Sequence, residues 1–347
     1  MSDSNILVQT KGGFKVRGIV TGLSKEKAYS EGTVKNGKFK GNKYRSIRFG
    51  VKTSPVNTVY VELYGMEQDT ITVYRREDKE KNITEDKKTI PFEKRANIPA
   101  GYEIVNTTFK LESSEEGEDI VKHYVQYDAV KYIQKTLKDG DSVYMQGNTE
   151  YSKYVDATGK ERQQKRNNIR SIYREEAIDF TAEDFRELAA FEQEIVFVGS
   201  EVEGEKVFVT GRTIAYGGNF LDVQFVIDPQ DDEELQKTAT AFEKYLSFGD
   251  LLKINGNIVN RVERVEEEEP ASTGLFGNKS ASGYGKRPIR TTVTEMQIIG
   301  VDEASYEAGQ GKYTEEDFQV KEFIVRDEEK QKSSDNPFEI QDDDLPF

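Results

Sequence analysis

The chain has no cysteine and no tryptophan, and only one histidine, His123, in 347 residues. Without cysteine there are no disulfides, thiolate metal sites or cysteine nucleophiles. A single imidazole removes histidine-based metal clusters, and His123 has no partner pattern around it, so it reads as structural or exposed. No apolar run approaches the roughly 20 residues that a membrane-spanning helix needs. The first five residues, Met1-Ser2-Asp3-Ser4-Asn5, contain no apolar signal region, which points to the cytoplasm and to no membrane partner. A phosphate-cradling glycine loop followed by Lys-Ser/Thr is also missing, Gly283-Tyr284-Gly285-Lys286 being only a fragment. The acidic runs 231–234 and 266–269 set carboxylates side by side rather than at metal-ligand spacing. Neither cofactor, metal nor enzymatic activity is expected.

What is present is charge, unevenly placed. The net charge is −15. Residues 1–180 carry 32 Lys+Arg against 27 Asp+Glu, a net of +5, whereas the remainder carries 17 against 37, a net of −20. Within residues 1–60 there are 12 basic side chains and three acidic ones. Basic charge is concentrated where it could meet a polyanion, whatever the overall isoelectric point.

From Phe14 onward the pattern is that of strands. Phe14, Val16 and Val20 alternate with Lys15, Arg17 and Thr21. After a basic stretch at 24–42, read as a long loop, Ile47, Phe49 and Val51 alternate with Tyr44, Ser46 and Arg48. Val59, Val61 and Leu63 then alternate with Tyr60, Glu62 and Tyr64. Three successive strands with one apolar face and one face of Lys, Arg and Tyr predict a small barrel with a decorated outer wall. Residues 67–124 read as an insertion containing a hairpin (70–74 with 89–92) and an acidic loop at 113–119. A helix follows at 128–137, then a strand at 142–147 and a hairpin over 151–174. Thr181-Ala182-Glu183-Asp184 has the form of a capping box and predicts a helix through Phe185, Leu188 and Ala189. Strands at 195–199, 206–215 and 220–227 and a helix at 231–246 complete the ordered pattern, with a Gly/Ser-rich loop at 272–288.

The chain repeats itself. Leu137-Lys138-Asp139-Gly140-Asp141-Ser142 aligns with Leu246-Ser247-Phe248-Gly249-Asp250-Leu251, each following a helix and opening a strand. A second echo pairs Phe180-Thr181…Asp184-Phe185 with Tyr313-Thr314…Asp317-Phe318. Each half thus runs three strands, a helix and two strands, the order of the five-stranded OB barrel. The predicted fold class is all-β with minor α. Two OB-like barrels (1–180 and 181–326) are followed by a disordered acidic tail from 327.

The tail ends in Asp342, Asp343, Asp344, Leu345, Pro346 and Phe347, an acidic string carrying an apolar tip. That tip, with Pro337-Phe338 before it, resembles the C-terminus of bacterial single-stranded DNA-binding proteins, a homo-oligomeric OB-fold family. Val143-Tyr144-Met145-Gln146-Gly147 and Lys153-Tyr154-Val155-Asp156-Ala157-Thr158-Gly159 are similar to its fourth strand and following hairpin, and Val59–Gly65 to its third strand. The resemblance implies binding of single-stranded DNA in replication, recombination and repair, with Tyr64 and Tyr154 at base-stacking positions and Lys153 beside one of them. It further implies that the tip, residues 342–347, recruits replication and repair proteins. The lack of tryptophan, the insertion at 67–124 and the second barrel are departures, fitting a divergent, phage-encoded member. Two barrels per chain favour a homodimer equivalent to the family's usual four.

Cations that follow phosphates and flat rings on which bases stack are what single strands require. The outward residues of the first barrel supply both: Lys15, Arg17, Tyr44, Arg48, Tyr60, Tyr64, Lys153 and Tyr154. In the second unit the candidates are Lys279, Tyr284, Lys286 and Arg287 of the Gly/Ser-rich loop. An RNA-binding OB protein and a protein-interaction scaffold are the alternatives.

Overall fold

A computed structural model describes residues 7–35, 37–77, 84–104, 106–155, 159–265 and 289–318. The first half contains β1 (Gly12–Thr21), β2 (Tyr29–Thr33), β3 (Lys43–Lys52) and β4 (Thr58–Met66). The insertion adds β5 (Thr70–Arg75), β6 (Asp86–Pro91), β7 (Thr107–Ser113) and β8 (Asp119–Tyr124). Then come α1 (Gln126–Thr136), β9 (Ser142–Val155) and β10 (Glu161–Arg174). The second half runs β11 (Leu188–Glu203), β12 (Lys206–Ile214), β13 (Phe220–Ile227), α2 (Glu233–Lys244), β14 (Leu251–Val265), β15 (Ile289–Asp302) and α3 (Glu303–Gly309).

Two closed barrels result, as the repeat implies. In the first, β1 pairs with β3, β3 with β4, β10 with β9, and β9 with β1, all antiparallel. A parallel bridge between Glu62 and Asn168 joins β4 to β10 and closes the ring. The second barrel closes in the same order through β11, β12, β13, β15 and β14, with its parallel bridge at Val226 and Gln297. This is the OB connection pattern in both halves. Alternation explains the cores: Phe14, Val16, Ile47, Phe49, Val51, Val59, Val61 and Leu63 are all buried. The helices cap the barrels with Val130 and Ile133 in one and Phe242 in the other.

The repeated turn has a physical cause. Gly140 and Gly249 both have φ of 95°, a region that penalises any Cβ. Beside them, Asp141 Oδ2 accepts from Lys138 N at 3.0 Å and Asp250 Oδ2 from Ser247 N at 2.8 Å. Identical chemistry turns the chain from helix into strand twice.

The barrels are joined along β1 and β11, which pair antiparallel from Gly12↔Gln193 to Arg17↔Leu188. The sheet β9-β1-β11-β14 is therefore continuous across the seam. A second joint lies at the turn between β3 and β4. Asn57, 5% exposed, donates to Glu187 Oε1 (2.8 Å) and Ile258 O (2.9 Å) and accepts from Asn260 N (2.7 Å).

The insertion has its own small core of Ile71, Val73, Phe92, Tyr102 and Ile104 with Val125 and Tyr127 at the start of α1. Its β5–β6 hairpin forms a separate sheet, while β7 runs parallel beside β10. Arg95 clamps it to α1 through Asp128 at 2.6 Å. Gly65 is required where β4 ends, because a Cβ there would sit 2.2 Å from Tyr127 N.

Two expectations are corrected. Residues 24–42 are not simply a loop: β2 lies along β3 in register Tyr29↔Ile47 to Thr33↔Lys43. No helix opens at Thr181. Asp179 instead closes a turn, accepting from Thr181 N (2.8 Å) and Oγ1 (2.7 Å), and Leu188 and Ala189 begin β11. Pairing of those two residues with Arg17 and Val16 of β1 outweighs the local helix signal. The aromatic echo nonetheless has a structural counterpart, since Phe180 packs edge-on against Phe185 (5.3 Å) and Tyr313 against Phe318 (5.7 Å).

Candidate nucleic-acid interface

The outer face of β3 and β4 is built by alternation. With Ile47, Phe49, Val61 and Leu63 turned inward, Tyr44, Ser46, Arg48, Tyr60, Glu62 and Tyr64 are turned outward. Register sets Arg48 directly opposite Glu62 and Ser46 opposite Tyr64. The rings of Tyr44 and Tyr64 lie 5.9 Å apart at 32°. The Arg48 guanidinium is 5.8 Å from the Tyr60 ring centre, within cation–π range.

The β4–β10 bridge brings the second wall of the face. Arg166 Nε stands 3.4 Å from Glu62 Oε1, and Arg166 Nη2 donates to Gln164 Oε1 at 2.9 Å. Directly opposite residues on paired strands share a face, so Arg162, Gln164 and Arg166 of β10 line up with Tyr154, Ser152 and Glu150 of β9. The face thus continues from the tyrosines of β3–β4 up the β9–β10 hairpin to Tyr154. Sequence reasoning passed over Arg166 and Glu62 as site residues. The signal available was parity: Arg162 and Arg166 alternate in step with Tyr154 across the turn.

Burial pushes the Glu62 carboxyl above the usual range, against the opposing pull of Arg166 and Arg48. Burial also raises the Tyr64 phenol. A central carboxylate, two arginines and three phenols make a face suited to stacking and hydrogen bonding.

The other predicted residues lie elsewhere. Lys15 and Arg17 are on the β1–β11 seam, not beside the tyrosines. Lys15 Nζ is 3.3 Å from Glu192 Oε1, whose other oxygen meets Lys253 Nζ at 2.6 Å. Those two lysines, Lys253 first, hold the Glu192 carboxyl below its usual range. A groove of about 530 Å³ passes over this sheet, lined by Lys15, Gln146, Arg170, Glu192 and Lys253. Arg17 Nη2 donates to Arg186 O at 2.9 Å. Lys153, next to Tyr154 but of opposite parity, pairs with Glu161 at 3.4 Å. Lys279, Tyr284, Lys286 and Arg287 lie outside the described residues, as do Asp342, Asp343, Asp344, Leu345, Pro346 and Phe347.

The corresponding wall of the second barrel is different. Arg212 is held bidentately by Asp222 at 2.6 and 2.8 Å, and Lys206 by Asp228 (3.2 Å) and Glu295 (3.7 Å). His123 has a structural partner, its Nδ1 being 3.1 Å from Thr108 Oγ1. Among the described residues no group of three His, Asp or Glu could hold a metal ion, and no helix is long and apolar enough to cross a membrane.

No curated protein matches the sequence. Among solved structures, a deletion mutant of the single-stranded DNA-binding protein from Thermus aquaticus is similar at 10% identity and a TM-score of 0.38, covering 85% of this chain and 95% of the other. At that level the likeness says nothing about which residues do what. The YorF family model matches residues 15–336. The chain belongs to the YorF family.

Proposed function

We propose that the protein binds single-stranded DNA without requiring a sequence motif, and that its role is binding rather than catalysis. The observation that carries the reading is the grouping of Tyr44, Tyr60 and Tyr64 with Arg48 and Arg166 on one outer face of the first barrel. Base–aromatic stacking contributes about 1–3 kcal/mol per base and tolerates any sequence. Arginine beside such rings supplies the phosphate contact and its salt dependence. Duplex DNA presents no free base faces, so rings on an open face favour single strands over duplex.

Fluorescence anisotropy of labelled thymine oligomers, matched RNA and duplex DNA at several salt concentrations tests this. Preference for the single strand, with affinity falling steeply as salt rises, is the expected result. Equal binding to duplex would sink the reading.

The acidic tip at 342–347 is proposed to recruit replication and repair proteins, Phe347 and Leu345 entering an apolar pocket whose basic rim takes the three Asp. Deleting residues 342–347 should abolish such recruitment and leave single-strand affinity unchanged or slightly higher. A homodimer is the proposed assembly, testable by light scattering with and without DNA.

A further inference from the structure

Glu62 occupies an unusual place for an acid. It sits at the middle of the face, between Tyr60 and Tyr64 on its own strand, opposite Arg48 on β3 and beside Arg166 on β10. Residues two apart on a strand stand about 7 Å apart on the same side, so each ring is within one base's reach of the carboxylate. A carboxylate repels phosphate, and the arginines on either side attract it. The sugar–phosphate backbone is thereby drawn to the flanks, and base edges are left facing Glu62.

An ionised carboxylate only accepts hydrogen bonds. Cytosine N4 and adenine N6 each offer an amino donor. Guanine offers N1–H and N2–H side by side, matching the two carboxylate oxygens. Thymine and uracil offer one N–H between two carbonyls, whose partial negative charge faces the acid. We infer that Glu62 reads base edges, biasing the strand held at Tyr60 and Tyr64 toward guanine, cytosine and adenine and against thymine and uracil. This rests on the reading that the tyrosine face binds single strands. The ion pair to Arg166 orients the carboxylate, which is only 20% exposed at its side chain, and Arg48 stands opposite it in register.

The test uses the full chain in competition anisotropy with three DNA oligomers: all thymine, all cytosine, and thymine with isolated guanines. The wild type should bind the cytosine and guanine-bearing oligomers about tenfold more tightly than thymine, one edge contact's worth of discrimination. Glu62→Gln presents a donor as well as an acceptor, so its discrimination should shrink to about twofold or less. Should Glu62→Gln melt early by circular dichroism, Glu62→Asp keeps the charge but withdraws it by one methylene and must lose discrimination likewise. Tight binding of all three oligomers with equal affinity overturns the inference and leaves the single-strand reading standing. So does a Glu62→Gln variant that weakens all three equally, which would make the acid merely a strut for the arginines. Failure to prefer any single strand over duplex brings down the reading itself and the inference with it.

Discussion

Phe14 on β1 lies directly opposite Phe191 on β11, and each ring packs over a glycine of the neighbouring strand, Gly147 for Phe14 and Gly256 for Phe191. A Cβ at Gly147 would stand 1.9 Å from Asn168 O and 2.8 Å from the Phe14 ring; at Gly256 the distances are 1.9 Å to Gln297 O and 2.8 Å to Phe191. The two sites are therefore equivalent positions of a pseudo-twofold pair of barrels. Gly147→Ala and Gly256→Ala should each destabilise the protein by about 1–3 kcal/mol or more through overpacking against backbone. Thermal denaturation would measure both, and a variant that melts with the wild type would contradict this packing.

The joint at Asn57 makes a second prediction. Its amide spans the barrels, holding Glu187, Ile258 and Asn260 together at 2.7–2.9 Å in a buried setting. Asn57→Ala removes a donor and an acceptor and strands Asn260 N and Ile258 O. A loss of about 1–3 kcal/mol is expected, the usual consequence of leaving buried polar groups unmet. Urea denaturation should show it as a lower midpoint, whereas an unchanged midpoint would mean that the Asn57 side chain adds nothing to the joint between the barrels.

These positions also mark what was legible in the sequence. The barrel strands were readable because Ile47, Phe49 and Val51 or Val59, Val61 and Leu63 each bury one face, and burial imposes a period of two. The repeated Gly-Asp turn was readable because a positive φ leaves glycine as the natural choice. Thr181-Ala182-Glu183-Asp184 misled because its capping pattern is local, while the strand pairing of Leu188 and Ala189 depends on a partner 171 or more positions away, at Arg17 and Val16. Alternation places Lys15 outward, but nothing near it in sequence announces Glu192. Glu62 likewise gains its meaning only from the parallel bridge to Asn168, which no short-range pattern encodes.

Lys165 provides a pH prediction. It lies opposite Tyr151 on the inner side of the β9–β10 hairpin, with its amine 3.1 Å from Met296 Sδ of the second barrel. Burial lowers its pKa from 10.5 to about 8, and burial raises that of Tyr151, whose hydroxyl has no hydrogen-bond partner among the described residues. Between about pH 8 and 10 the unfolded chain carries a proton on this lysine that the folded chain has released, so stability rises with pH across that window. Above 10 the trend should reverse as tyrosine ionises in the unfolded chain while Tyr151 keeps its proton. Lys165→Met should gain roughly 2–3 kcal/mol at pH 7 and remove the rise. Denaturation series from pH 6 to 11 would measure it, and parallel wild-type and variant curves would refute it.

The contrast between the tyrosine face and the seam separates the proposed site from the rest of the basic surface. Tyr64→Ala and Tyr44→Ala each remove a stacking platform and should weaken single-strand binding by about 1–3 kcal/mol, with Tyr→Phe nearly neutral because the ring carries the interaction. Arg48→Ala should act differently, lowering the slope of log affinity against log salt by about 0.7 for each phosphate that the variant no longer neutralises. Lys15 is engaged with Glu192 on another side of the barrel, so Lys15→Ala should leave both affinity and slope close to those of the wild type. Anisotropy titrations of these variants across a salt series make the comparison directly. If Lys15→Ala weakened binding as much as Tyr64→Ala, the strand would have to cross the seam groove, and the interface would lie on β1 rather than on β3 and β4.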